Sequence, residues 1–205
     1  MVGATLTLSE ILRAETSEQH SKAEGKSVQQ ALLKGTITRE QYAAWLGQML
    51  HIHAELAAAA IAAGRIDARA LMTGEAESHS TRLRADLASL GAPETKALAA
   101  TANLIARIRT ASPAGLIGMQ YVRDGSMNGN KYIAMGVRKA LSLAPGAGDT
   151  YLDPYGDRQR AVWSAFKVAL DELALSESVW AEAVDGARAM FDGIAGMNEE
   201  LGAAW

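Results

Sequence analysis

The spacing of apolar residues constrains the fold of this 205-residue chain more than any other feature. Apolar side chains recur every three or four residues, as in Tyr42, Trp45, Leu46 and Met49, which is the repeat of one helical face. Runs that alternate Val, Ile, Thr or aromatic residues with polar ones, which would indicate strands, are missing from the sequence. The pattern predicts an all-α fold with helices near residues 7–24, 27–34, 38–63, 68–90, 93–110, 113–143, 154–175 and 177–200.

Prolines and capping residues set the expected helix boundaries. The segments TLSE at 7–10 and TREQ at 38–41 fit the capping box, in which side chains satisfy the first free backbone N–H groups. Helix starts are also expected where proline can occupy the first helical turn, at Pro93, Ser112-Pro113 and Asp153-Pro154. No internal repeat or long linker interrupts the series, so residues 1–205 are predicted to form a single domain.

Composition and charge exclude several classes of protein. The chain has no cysteine, which rules out disulfides, thiolate metal sites and a cysteine nucleophile. A net charge of −3 gives no indication of nucleic-acid binding. The N-terminus lacks the pattern of a signal peptide, and the most apolar stretch, 56–63, is too short to span a bilayer. A cytoplasmic protein without membrane contact is expected, with any metal chemistry left to four histidines and the carboxylates.

His20 has the most informative surroundings of the four histidines. Glu24 follows four residues later on the same helical face, and a metal-bound imidazole commonly donates its second nitrogen to a carboxylate. Arg13 lies two turns earlier on that face, where it can meet an anionic group of a bound cofactor. The alternative is a surface histidine in an i,i+4 charge pair, which is the commoner meaning of this spacing.

The other histidines give weaker indications. His51 and His53 are two residues apart, so on a helix they point in nearly opposite directions and cannot share a metal ion. His79 lies among polar residues and is expected to be solvated. The E-x-x-H motif that a di-iron helical bundle carries on two helices is absent from the sequence.

Glycines interrupt the predicted helix over 113–143. A glycine inside a helix costs about 1 kcal/mol relative to alanine, so several in one helix need a structural reason. Gly125 and Gly129 are four residues apart and share one face, which leaves backbone bare where a flat ligand can lie. Tight packing between helices is the alternative explanation.

Two segments of the sequence resemble the haem oxygenase family. LRAETSEQHSKAE, from Leu12, resembles the proximal helix of that family, and YVRDGSMNGNKYIA, from Tyr121, resembles the distal helix of its bacterial members. GTITREQYAAWL and WSAFKVAL resemble two further helices of the family. The resemblance extends from about Leu12 to Leu170.

The resemblance implies a haem slot between the first helix and the glycine-rich distal helix of a single-domain, haem oxygenase-like bundle. His20 matches the ligand of the haem iron, Glu24 its hydrogen-bonding partner, and Arg13 a cation that contacts a haem propionate. The other implied haem contacts are Tyr121 and Phe166, and the implied catalytic positions of the distal helix are Gly125, Ser126, Gly129 and Asn130. The chain departs from the family at Asn130, where a second glycine is usual, and at Asn128.

The implied activity is cleavage of haem by O₂ to biliverdin, free iron and CO. Electrons would come from a separate ferredoxin, flavodoxin or reductase, since the sequence carries no flavin or nicotinamide motif. A haem carrier or sensor on the same fold is the main alternative. A thiamin-salvage-like protein of the same superfamily and a purely helical interaction module also remain, although the former typically uses a cysteine nucleophile, which this chain lacks.

Overall fold

The computed structural model describes residues 6–63, 79–173 and 175–205, and this part of the chain is helical without strands. The all-α prediction is confirmed. The helices are α1 (Leu8–Glu15), α2 (Ser17–Glu24), α3 (Ser27–Lys34), α4 (Arg39–Ala62), α5 (His79–Ser89), α6 (Ala99–Thr110), α7 (Pro113–Leu141), α8 (Gln159–Asp171) and α9 (Glu177–Ala203), with a 3₁₀ turn at Gly156–Arg158 before α8. The helix predicted over 68–90 is confirmed over α5, while residues 68–78 of that prediction lie outside the described residues.

The single helix predicted over 7–24 is wrong, because the chain breaks at Thr16 into α1 and α2. Thr16 has φ −117° and ψ 7°, and its hydroxyl donates a 2.6 Å hydrogen bond to the carbonyl of Leu12. A threonine hydroxyl that bonds back to the preceding turn competes with the helical backbone. The capping box at Thr7 is present, as predicted, and α1 buries Leu8 and Leu12 whereas α2 buries no residue.

The helix start predicted at Pro93 is also wrong, since α6 begins at Ala99. The side chain of Gln48 accepts from the backbone N–H of Leu98 and donates to the carbonyl of Lys96, which holds this segment in an extended form. The first N–H groups of α6, at Ala99 and Ala100, donate to the carboxylate of Glu200. The cap of α6 therefore comes from the far end of the chain.

The start predicted at Asp153-Pro154 is wrong for a similar reason, and α8 begins at Gln159. The carboxylate of Asp86, on α5, accepts hydrogen bonds from the hydroxyl and backbone N–H of Thr150 and from the backbone N–H of Tyr151. These bonds, of 2.7–2.9 Å, fix the loop after α7 in a non-helical path and bury Tyr151 completely.

Close crossings of α7 explain several of its glycines. A β-carbon at Gly118 would collide with the carbonyl of Ala183 on α9, and one at Gly136 would meet the carbonyls of Leu32 and Leu33 on α3. These glycines let the backbones of neighbouring helices touch, as the packing alternative predicted. A β-carbon at Gly125 would instead meet the ring of Trp163 on α8, and one at Gly129 would meet no described atom outside its own turn of helix within 4 Å, so packing between helices does not account for Gly129.

None of the helices in the described part of the chain is both long enough and apolar enough to span a membrane.

Candidate functional site

His20 lies on α2 with its side chain 54% exposed. Its Nδ1 is 3.5 Å from Oε2 of Glu24, and its ring meets the ring of Phe191, on α9, edge-on at 5.5 Å. Nε2 makes no hydrogen bond with any of the described residues. This geometry, with one imidazole nitrogen next to a carboxylate and the other free of the described residues, fits both the predicted metal ligand and the alternative of an exposed i,i+4 charge pair.

Arg13, on α1, lies near enough to Tyr121, on α7, for its charge to act on the Tyr121 hydroxyl. Burial raises the pKa of the Tyr121 hydroxyl, and the charge of Arg13 opposes that rise while the charge of Asp171 adds to it. Asp171 also ties α1 to α8, because its carboxylate accepts 2.8 Å hydrogen bonds from the backbone N–H and the hydroxyl of Ser9. An exposed cation on α1 is therefore held close to the first half of α7.

Aromatic side chains line the contact between α7 and α8. The Tyr121 and Trp163 rings are 5.4 Å apart, and Trp163 stacks on Phe166 at 5.4 Å with an angle of 11° between the planes. A β-carbon at Gly125 would lie 3.2 Å from the Trp163 ring, so the glycine lets this ring rest on the α7 backbone. One aromatic cluster at this contact contains three of the site residues predicted from the sequence: Tyr121, Phe166 and Gly125. Trp163 belongs to the same cluster. The sequence indicated it only through its position in WSAFKVAL, one of the segments that resemble helices of the family.

Gly129 and Ser126 are exposed on α7. Among the described residues, a β-carbon at Gly129 would have no atom from outside its own turn of helix within 4 Å, so this turn presents bare backbone. The hydroxyl of Ser126 donates to the carbonyl of Arg123 at 2.7 Å. Asn128 donates to the carbonyl of Gly125 at 3.0 Å and accepts from the side-chain amide of Gln159 at 3.3 Å.

Asn130 is buried, unlike the glycines beside it, with only 6% of its surface exposed. It lies about 100° around the helix from Gly129. Its amide nitrogen is 3.6 Å from the sulfur of Met127, and its N–H opposes the rise that burial causes in the pKa of the Tyr151 hydroxyl. The Asn130 side chain is thus accommodated in the core, behind the face of α7 that carries Gly125 and Gly129 (the glycine face).

A buried polar cluster, made of His53, His79, Arg123, Asp124 and Tyr151, lies on that side of α7. Nε2 of His53 is 2.7 Å from the Tyr151 hydroxyl, and the two imidazole rings are 5.5 Å apart. Nε2 of His79 is 3.6 Å from the Asp124 carboxylate, which pairs with Arg123 at 2.9 Å. The expectation that His79 is solvated is wrong: it is 1% exposed, because α5 packs its first turn inward. The polar neighbours of His79 in the sequence hid this burial.

Burial controls protonation in the cluster. It lowers the pKa of His53 well below the ordinary value, and the charges of His79 and Arg123 lower it further. Burial also lowers the pKa of His79, although Asp124 opposes the shift. Burial would raise the pKa of Asp124, but Arg123 and His79 outweigh it and lower the pKa. Near neutral pH the cluster holds two neutral imidazoles beside an ion pair.

Because burial keeps both imidazoles neutral, we expect the folded protein to lose stability in mild acid. The unfolded chain protonates both histidines below about pH 6.5, whereas the folded chain resists protonation until lower pH. The free energy of unfolding should therefore fall below about pH 6.5, by up to about 1.4 kcal/mol per pH unit for each histidine. Denaturant unfolding measured from about pH 7.5 to about pH 5.5 checks this.

The control for that prediction is His53→Phe, which removes one of the two titrating groups. Its stability should fall with about half the slope of the unsubstituted chain. Asp124 affects a separate window, because the stability gained from its lowered pKa is lost only below about pH 4. A free energy of unfolding that stays constant down to about pH 5.5 would contradict the assignment of two neutral buried histidines.

Solved structures show the same fold. Haem oxygenase-1 from the cyanobacterium Synechocystis, solved with haem, has a TM-score of 0.86 at 21% identity, with 97% of this chain and 94% of that chain covered. The haem oxygenase of Leptospira interrogans has a TM-score of 0.82 at 22% identity, covering 95% of this chain and all of the other. A TenA homologue from Pyrococcus furiosus has a TM-score of 0.71 at 11% identity, with coverages of 95% and 99%.

Fold likeness alone does not separate these groups, because the TenA homologue shares it. No curated protein matched the sequence. The family model for haem oxygenase, in contrast, matches residues 6–200, which is nearly the whole chain and includes His20 as well as the glycine face of α7. The chain therefore belongs to the haem oxygenase family.

Proposed function

We propose that the protein is a haem oxygenase, which binds haem through His20 and uses O₂ and electrons from a separate donor to produce biliverdin, iron and CO. The observation that carries the proposal is the exposed imidazole of His20. Its Nδ1 lies beside Glu24, and its Nε2 is free of hydrogen bonds to the described residues. The family match supports the same assignment.

The residues present fit haem as a bound group. Haem is a flat apolar disc with two anionic propionates, so it needs one axial ligand, apolar walls and a cation at its edge. His20 offers the ligand, and Tyr121, Trp163 and Phe166 offer apolar surface. Arg13 offers the cation. The open backbone at Gly129 lets the disc approach α7 without meeting a side chain.

When bound, haem supplies the redox-active iron at which O₂ is reduced. His20 would hold the iron through Nε2, and Glu24, whose Oε2 is 3.5 Å from Nδ1, would accept a hydrogen bond from Nδ1–H and so fix the tautomer and the plane of the ring. Gly129, which presents bare backbone, would leave room for O₂ beside the bound group. Ser126, whose hydroxyl donates to the carbonyl of Arg123 in this structure, directly follows Gly125 and is exposed, so its hydroxyl could turn to donate a hydrogen bond on this side of α7.

The carrier or sensor alternative loses its main support. A carrier would be favoured if the side chain at Asn130, where the family usually has a glycine, narrowed the space over Gly125 and Gly129. The Asn130 side chain instead contacts Met127 and faces Tyr151, about 100° around α7 from Gly129. Burial of Asn130 thus favours an open distal side, which an oxygenase requires.

A haemin titration followed by reduction tests the proposal. A sharp Soret band should appear with one equivalent of haemin. Addition of ascorbate in air should then remove that band and produce the absorbance of a bilin. A Soret band that persists under reductant would indicate a carrier, and the absence of any Soret band would contradict haem binding itself.

Glu24→Gln should weaken haemin binding by about 10- to 100-fold, because an amide accepts the Nδ1 proton less strongly and His20 becomes a weaker, less oriented ligand. Haemin titration followed at the Soret band gives the affinity. Glu18→Gln is the matched control, since Glu18 is an exposed carboxylate on the same helix without contact to His20. Equal affinities for both variants would contradict the assigned role of Glu24.

A further inference from the structure

The outer face of α7 carries apolar side chains in solvent. This face consists of Lys131, Tyr132, Met135 and Lys139, which share one side of the helix. Tyr132 is 55% exposed and Met135 is 63% exposed, and Nζ of Lys131 lies 5.0 Å from the centre of the Tyr132 ring. Large apolar side chains grouped in this way on a surface commonly mark a protein–protein contact.

A cleft adjoins the outer face. It has a volume of about 400 Å³ and runs between α7 and the segment from the 3₁₀ turn to the first residues of α8. Met135, Tyr132 and Lys131 line one side of it, and Gly156 and Arg160 line the other. The exposed apolar surface therefore continues into a concave region in which a partner's side chain can insert.

Positive charge surrounds this surface, although the chain has a net charge of −3. From Gly125 to Leu141, α7 has three cations and no carboxylate. Two carboxylates line the cleft, those of Asp153 and Asp157, and Asp153 accepts a hydrogen bond from Arg138. Lys131 and Arg160, which line the cleft, and Lys139, one helical turn beyond Met135, form no ion pair with the described residues.

We propose that the outer face of α7 is the docking surface of an acidic protein that carries single electrons, and this inference rests on the proposed oxygenase function. Exposed apolar groups ringed by cations complement a partner that surrounds its contact site with carboxylates. Tyr132 follows Gly129 by three residues, a rise of about 4.5 Å along the helix. A partner seated here lies next to the glycine face at which the electrons are needed.

The test compares binding of an acidic probe, a plant-type [2Fe–2S] ferredoxin, to three variants without haemin. K131E/K139E reverses the charge, M135S removes the apolar contact, and R39E/R107E is the matched control on α4 and α6. Calorimetry should show Kd raised at least about 10-fold for K131E/K139E and raised for M135S, with R39E/R107E unchanged. The Kd of the unsubstituted chain should rise with salt more steeply than that of K131E/K139E.

Several outcomes would overturn the docking surface: absence of ferredoxin binding by the unsubstituted chain, an unchanged Kd for K131E/K139E, or an equal loss for R39E/R107E. A homodimer that K131E/K139E dissociates, seen by size-exclusion chromatography, would assign the face to a second copy of the chain and also overturn the proposal. Melting temperatures of all variants establish that each one is folded.

A kinetic arm separates this inference from the proposed function. Haemin degradation driven by ascorbate should be the same in K131E/K139E and in the unsubstituted chain, while KM for reduced ferredoxin should rise. If K131E/K139E degrades haemin with ascorbate and its KM for reduced ferredoxin is unchanged, the docking surface is overturned and the oxygenase is supported. Ferredoxin binding at this face by a chain that cannot degrade haemin would overturn the oxygenase and support the surface.

Discussion

His20→Ala should bind haemin at least about 100-fold more weakly than the unsubstituted protein, because loss of the iron ligand must cost more than loss of its hydrogen-bonding partner. The Soret band of any haemin that remains bound should shift as well. The His20 side chain is 54% exposed and forms no hydrogen bond that supports the core, so the melting temperature should change little. Weaker haemin binding at an unchanged melting temperature would therefore reflect loss of the ligand and not loss of the fold.

Free imidazole makes the His20 experiment sharper. Because the side chain is exposed, added imidazole can take its place on the iron and should restore the Soret band of His20→Ala. His51→Ala is the matched control, since His51 lies on α4 and its ring contacts the carbonyl of Thr95. Unchanged haemin affinity in His20→Ala, or an equal loss in His51→Ala, would contradict the ligand assignment.

Gly129→Leu should lower bilin production at least about 100-fold, because a branched side chain would occupy the space that O₂ needs and displace the reacting groups. The proximal ligand is untouched, so a Soret band should still form on titration with haemin. Single-turnover decay of that band under reductant measures the effect. Degradation of haemin at the original rate would show that α7 does not line the oxygen side.

Gly129→Ala is the graded control for that experiment. Its methyl group meets no described atom outside its own turn of helix within 4 Å, so the alanine should stabilise the protein by about 0.5–1 kcal/mol through its helix propensity. Its turnover should lie between that of the glycine protein and that of Gly129→Leu. A gain in stability together with a loss of activity would show that the glycine is there for the ligand and not for the fold.

Local sequence patterns predicted the elements of the fold better than their ends. The capping box at Thr38 and the Ser112-Pro113 pair start α4 and α7 where expected, because all of their partners lie within one turn. The starts of α6 and α8 depend on Glu200 and Asp86, which are distant in sequence. No periodicity reveals such a contact.

The candidate site shows the same division. His20 and Glu24 were readable from the sequence, because i,i+4 spacing on a helix determines their geometry. The burial of His79 and Asn130 depends on how α5 and α7 pack against α4 and the loop that contains Tyr151, so their neighbours in sequence gave no warning. Trp163 belongs to the site because α8 packs against Gly125, and the sequence does not reveal that contact.

The break at Thr16 divides the first segment into parts with different anchoring. α1 buries two leucines and is bonded to α8 through Ser9 and Asp171, whereas α2, which carries His20, buries no residue. Short helices with little buried apolar surface open locally at low free energy, independently of global unfolding. Opening of α2 alone should therefore cost less free energy than unfolding of the core. For the proposed oxygenase activity, which converts a rigid disc into a flexible open chain, such an opening would offer an exit route that requires only one short helix to move.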